Sequence, residues 1–164
     1  MGALKQVLVF GLFWGGAVAI SGAAARAQDV VFHMQETEAC IARHSAESGT
    51  DNCVGESADR CIEESDRGLT TMVHVECYGH ELEAWDQRLN TAYTHLMEQE
   101  KSDDAAGGKA LRDMQRAWLK FAQTRCDYES APWVGGTGIG PAAQKCWMEM
   151  TGRQALFLEQ KILE

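Results

Sequence analysis

Between Thr71 and Lys101, Val75, Tyr78, Leu82, Trp85, Leu89, Ala92 and Leu96 recur in alternating steps of three and four. That spacing is one apolar stripe along a long α-helix. Such a stripe has to be buried against other elements, and the rest of the chain supplies further helices to do it. Thr70 or Thr71 can cap the start, just after Gly68. Ser102–Gly108 breaks the pattern and reads as a connecting loop. A second helix is expected over about Lys109–Glu129, with Leu111, Met114, Trp118, Phe121 and Tyr128 on its stripe. Arg125 falls on the same stripe, where a guanidinium has either to snorkel out or to find a carboxylate or carbonyl partner. Ser130–Gly140 holds Pro132 and four glycines and reads as a loop. Pro141 suits the first position of a last helix, about Pro141–Leu163, with Trp147, Met150, Phe157, Leu158 and Ile162 on its apolar face. Upstream, Phe32–Glu47 and Asn52–Glu64 read as two short helices, each too short to stand alone in water. Nothing reads as a strand. The expected fold is all-α: a small disulfide-stapled helical bundle of three main helices plus two short N-terminal ones.

The staples are Cys40, Cys53, Cys61, Cys77, Cys126 and Cys146. Six cysteines permit about 15 pairings. Antiparallel neighbours joined by short connections favour Cys126 with Cys146, Cys61 with Cys77 across the turn at Gly68, and Cys40 with Cys53. An even cysteine count in an exported chain points to an oxidising compartment, the bacterial periplasm or its equivalent.

The N-terminus supports export. Lys5 precedes an uncharged apolar run, Val7–Ile20, and a small-x-small site, Ala25-Arg26-Ala27, follows. This is the order of a secretory signal peptide, with cleavage expected after Ala27 and a single helical domain over residues 28–164. An uncleaved anchor is the competing reading, but the run is rich in Gly, Ala and Ser. No membrane insertion is expected after cleavage. Residues 1–27 hold Lys5 and Arg26 and no Asp or Glu, so their removal takes the net charge from −9 to −11, with 13 basic and 24 acidic side chains. A surface of that sign repels nucleic acid and attracts basic proteins. It is also simply what keeps an exported protein soluble.

Cys61 and Cys77, Leu89-Asn90-x-x-Tyr93, Gln115-Arg116-Ala117-Trp118, Arg125-Cys126, Cys146 and Arg153 together resemble the LprI-type lysozyme inhibitor family. The resemblance covers about Cys61–Leu156. Trp85, Leu89, Asn90, Tyr93, Gln115, Trp118, Arg125 and Arg153 are the positions assigned to the family motif or to structure. The resemblance implies a small exported helical domain that binds a protein partner, a basic lysozyme, without catalysis and without a cofactor. One departure bears on function: the family often has an Arg-Asp pair where this chain has Ala122 and Gln123. The alternative function is that of a non-inhibitory envelope accessory protein. In either case Trp133, in Ala131-Pro132-Trp133-Val134-Gly135-Gly136 between Cys126 and Cys146, is the candidate anchor for a partner. The competing expectation, favoured because large aromatics bury themselves, is that Trp133 folds back over the core.

Other constellations point to structure. His74-x-x-Cys77-x-x-His80 has the look of metal-ligand spacing, but His80 drifts round the helix and a disulfide-bonded Cys77 offers no thiolate. Glu76, Glu81, Glu83 and Asp86 read as the solvated face of an amphipathic helix, with no nucleophile beside them. The glycines of Gly135–Gly140 follow a helix and lack the Lys of a phosphate-binding loop, so they read as a flexible connector. Trp85, Trp118 and Trp147 fall on the three apolar stripes and are expected in the core. No catalytic residue, metal ligand or cofactor is assigned.

Overall fold

The long stripe becomes the central helix of the fold. In the computed structural model, which describes residues 30–44, 50–103 and 105–163, the order is α1 Gln35–His44, a 3₁₀ turn Thr50–Cys53, α2 Glu56–Glu64, α3 Thr71–Asp103, α4 Ala105–Ser130, a second 3₁₀ turn Ala131–Trp133, and α5 Ile139–Ile162. No strand occurs among the described residues. The expected signal segment, 1–27, lies outside them. Among them, no helix is long and apolar enough to cross a membrane.

Thr70 caps α3: its hydroxyl accepts the Val73 N–H at 3.4 Å and its carbonyl accepts the His74 N–H at 3.3 Å. The connecting loop expected at Ser102–Gly108 is not there. Helix α3 runs to Asp103 and α4 begins at Ala105, so the glycines are helical. Gly108 is buried, a methyl group on it would lie 3.4 Å from Met97 Cε, and one on Gly107 would collide with the Glu100 carboxylate. The first turn of α4 therefore lies tight against the end of α3, which a rule treating Gly-Gly as a helix breaker does not anticipate.

Helix α5 packs along α3 more extensively than α4 does. Gly152 makes this possible: a Cβ there would stand 2.6 Å from Val54 Cγ1 and 3.0 Å from Trp85 Cε2. Trp85 is fully enclosed, with Val73, Met148, Ala155 and Leu158 also buried in the same core. Across the edge of this seam Arg88 meets Glu159 in a two-pronged ion pair at 2.8 and 2.7 Å, its guanidinium lying over the Trp85 ring.

Most of the expected stripes on α4 and α5 face the core: Leu111, Met114, Trp118 and Ile162 pack against it, and Met150 and Leu158 are buried. Phe121, Tyr128 and Phe157 are the exceptions, being exposed, while Ala122, Cys126 and Ala155 are buried. The bridges are Cys40–Cys53, Cys61–Cys77 and Cys126–Cys146, with Cα–Cα distances of 5.5, 5.8 and 5.4 Å. They are the pairs that hairpin geometry favours.

One acidic residue is misplaced by the pattern of the sequence. Glu81 is fully buried and does not belong to the solvated face; Glu83 and Asp86 do, and Glu76 is half-buried. The Glu81 carboxylate accepts hydrogen bonds from Thr37 Oγ1 (3.0 Å), the Gly55 N–H (2.8 Å), the Ala58 N–H (2.7 Å) and Trp85 Nε1 (3.0 Å). Gly55 and Ala58 are at the N-terminus of α2, so a side chain from α3 caps another helix where a negative charge is favoured. Thr37 and Ser57 complete the joint, each hydroxyl accepting the other's backbone N–H at 3.0 Å. The two short helices are thus fastened to α3 by a buried polar knot as well as by disulfides.

Candidate functional site

Helix α4 ends at Ser130, whose hydroxyl donates to the Cys126 carbonyl at 2.8 Å. Pro132 then initiates the short 3₁₀ turn that carries Trp133. The Val134 N–H donates to the Ala131 carbonyl (3.2 Å) and the Gly136 N–H to the Trp133 carbonyl (3.0 Å). Gly135 takes a positive φ of 85°, which permits the chain to turn back. The glycine run is therefore a hydrogen-bonded turn leading directly into α5 at Ile139, not a loose connector. Pro141 sits in the first turn of α5 rather than at its first position.

Trp133 does not reach the burial expected of a large aromatic. It is 54% exposed, and its ring rests over Gly138, where a Cβ would collide with it. Leu69 lines the same cavity and is fully exposed, and Val134 beside Trp133 is 73% exposed. The cavity, about 540 Å³, is walled by Tyr78 and Lys145 and carries the carboxylates of Glu129 and Glu149. Burial, and then the nearby charges of Asp59 and Glu149, push the Tyr78 phenol above its usual pKa. This end of the molecule thus presents Trp133 and Val134 on a short segment clamped by Cys126–Cys146, with Leu69 from the turn before α3 beside them and carboxylates around them. Leu69 escaped the sequence reading. The signal available was its position, an isolated large apolar residue between Gly68 and Thr70 in a turn.

The positions that carry the family resemblance divide between two places: Cys126 and Cys146 clamp the Trp133 turn, and others lie elsewhere. Leu89 and Tyr93 of α3 and Gln115 and Trp118 of α4 line a second groove, between α3, α4 and α5, also about 540 Å³. Asn90 donates to Asp86 at 2.9 Å, and Gln154 of α5 donates to Gln115 at 2.6 Å. Arg125 finds its partners in Glu129 (2.7 Å) and the Met150 sulfur (3.4 Å), and Arg153 lies 3.7 Å from Glu149. Of the three tryptophans expected in the core, only Trp85 is fully enclosed; Trp118 and Trp147 are half-buried walls of the groove. The His74/Cys77/His80 spacing brings no ligand set together: His74 Nε2 bonds to the Gly68 carbonyl at 2.8 Å, Cys77 is bridged to Cys61, and His80 stacks on Phe32. Ala122, at one of the two positions departing from the family pattern, is fully buried, and Gln123 is exposed and donates to Asp127 at 2.7 Å.

The profile of the family described as lysozyme inhibitor LprI matches residues 61–158, more than half of the chain. The chain belongs to this family. The LprI segment starts at Cys61, so it takes in α3, α4, most of α5 and two of the three bridges, and leaves out α1 and Cys40–Cys53. The chain is also similar to an uncharacterized 17.7 kDa protein in the puhA 5'region of Rhodobacter capsulatus, 26% identical over 135 residues, covering 76% of this chain and 83% of the relative. No solved structure matches the chain.

Proposed function

We propose that this protein is exported and inhibits a basic lysozyme by setting the Trp133 end of the bundle against the enzyme's substrate cleft. Membership of a lysozyme inhibitor family supports the class of partner. The observation that carries the choice of surface is Trp133 itself, 54% exposed on a disulfide-clamped turn. A rigid aromatic loses little conformational freedom on binding, and such residues dominate interface energetics. The net charge of −9, or −11 after cleavage at Ala27, steers the chain toward a basic enzyme. The three bridges fit an oxidising, extracytoplasmic compartment. N-terminal sequencing of native material beginning at Gln28 would establish the cleavage.

The surface is tested by binding kinetics. Raising ionic strength from ~0.01 to ~0.1 M shortens the Debye length from ~30 to ~10 Å, so association with lysozyme should slow markedly while dissociation changes less. Trp133→Ala should speed dissociation and leave the salt dependence of association intact. Binding with an unaltered dissociation rate in that variant would move the anchor away from Trp133.

A further inference from the structure

The groove between α3, α4 and α5 shares no lining residue with the Trp133 cavity. Its walls are Leu82, Leu89 and Tyr93 from α3, Trp118 and Leu119 from α4, and Trp147 from α5. Leu119 is 52% exposed although it faces this apolar trough. A volume of about 540 Å³ is in the range of small-molecule sites.

Its charge runs against that of the molecule. Arg112 and Arg116, one turn apart on α4, line it together with a single carboxylate, Asp86, which already accepts from Asn90. The Trp133 cavity and the cavity beside Arg88 show the reverse, two carboxylates to one cation each: Glu129 and Glu149 with Lys145, Glu38 and Glu159 with Arg88. Arg116 reaches only Asp113, at 3.6 Å, and no ion pair engages Arg112 among the described residues. Because α3 and α4 run antiparallel, with Gly107 and Gly108 beside Glu100 and Met97, the two arginines stand opposite the Asn90–Tyr93 end, and Leu82 marks the far end. The trough therefore has a cationic end and an apolar end. From Leu82 to Tyr93 it extends roughly 16 Å along α3 at ~1.5 Å per residue.

We propose that this groove binds a single-chain amphiphile with a carboxylate headgroup, the alkyl chain lying along Leu82, Leu89 and Trp118 and the carboxylate meeting Arg112 and Arg116. Guanidiniums match a carboxylate in a planar fork, and the apolar walls remove the chain from water. A chain of about a dozen carbons, at ~1.3 Å per carbon along a zigzag of 1.52 Å bonds, has the length of the trough.

The test is calorimetric titration of the full mature protein with dodecanoate, below its micelle-forming concentration, with tryptophan fluorescence as a second readout because Trp118 and Trp147 wall the site. Saturable binding of one dodecanoate per chain is expected. The double variant Arg112→Gln/Arg116→Gln should weaken it at least tenfold, and dodecanol should bind at least tenfold more weakly than dodecanoate. Leu119→Glu, a change at an exposed position, should weaken binding by placing a charge on the apolar wall beside the alkyl chain. Absence of saturable binding to the folded wild-type protein overturns the proposal, as does equal binding by the double variant or equal affinity for dodecanol.

Discussion

Glu81 and Trp85, one turn apart on α3, are joined by a 3.0 Å hydrogen bond from the indole N–H to a carboxylate that is wholly shut off from solvent. The same carboxylate holds the N-terminus of α2 and the hydroxyl of Thr37 on α1. A buried charge persists only where donors surround it, and here four do.

Glu81→Gln keeps the shape but turns an amide NH₂ toward either the Ala58 N–H or the N–H groups of Gly55 and the Trp85 indole, none of which can accept. The expected cost is about 1–3 kcal/mol. It should be read in chemical denaturation, with hydrogen exchange accelerating first in α1 and α2. Glu83→Gln, two residues on and exposed, should change stability by less than about 0.5 kcal/mol. Equal effects of the two substitutions would contradict the role given to Glu81.

Much of this architecture is legible in the residues. The alternating steps from Val75 to Leu96 specify α3, and the cysteine positions specify the pairings once helices are assumed to run antiparallel. Glu81 is not legible, because its donors come from Thr37, Gly55 and Ala58, far away in the chain, and periodicity registers only the helix on which a residue sits. The helical Gly107 and Gly108 are hidden for a related reason: their neighbours, the side chains of Glu100 and Met97, come from the facing helix, which no local rule contains. At the Trp133 end the sequence supplies the loop and its clamp, but not the neighbour Leu69 or the cover provided by Gly138. Trp118 and Trp147 read as core because a stripe does not reveal that α3 and α4 leave a trough between them.

The Cys126–Cys146 bridge closes a 20-residue separation around the Trp133 turn. Replacing both cysteines with serine should remove ~3 kcal/mol of stability, less any compensating structure in the unfolded chain. Calorimetry should show a lowered melting temperature. Lysozyme binding, measured at a temperature where the variant is still folded, should weaken as the turn loses its clamp. Full affinity in that variant would mean the turn does not form the contact surface.

Tyr78 provides a pH signature. The residue is 7% exposed, and burial together with Asp59 and Glu149 raises the pKa of its phenol above 10.0. The fold favours the neutral form, so its contribution to stability is complete below pH 10 and is lost as pH rises through the raised value. Tyr78→Phe should remove that part of the alkaline loss of stability. Spectroscopic titration of phenolate should likewise lose a late-titrating component when Tyr78 is replaced.

Inhibition of a basic lysozyme through the Trp133 end of this LprI family member is read in the lysis of a cell-wall substrate. Lysozyme activity should be followed at low salt against increasing concentrations of the purified mature protein, and of its Trp133→Ala variant. The expected result is dose-dependent inhibition that saturates near one inhibitor per enzyme and is weaker in the variant. Undiminished lysis at micromolar wild-type protein would contradict it, and would leave the chain as an envelope accessory protein with the LprI fold.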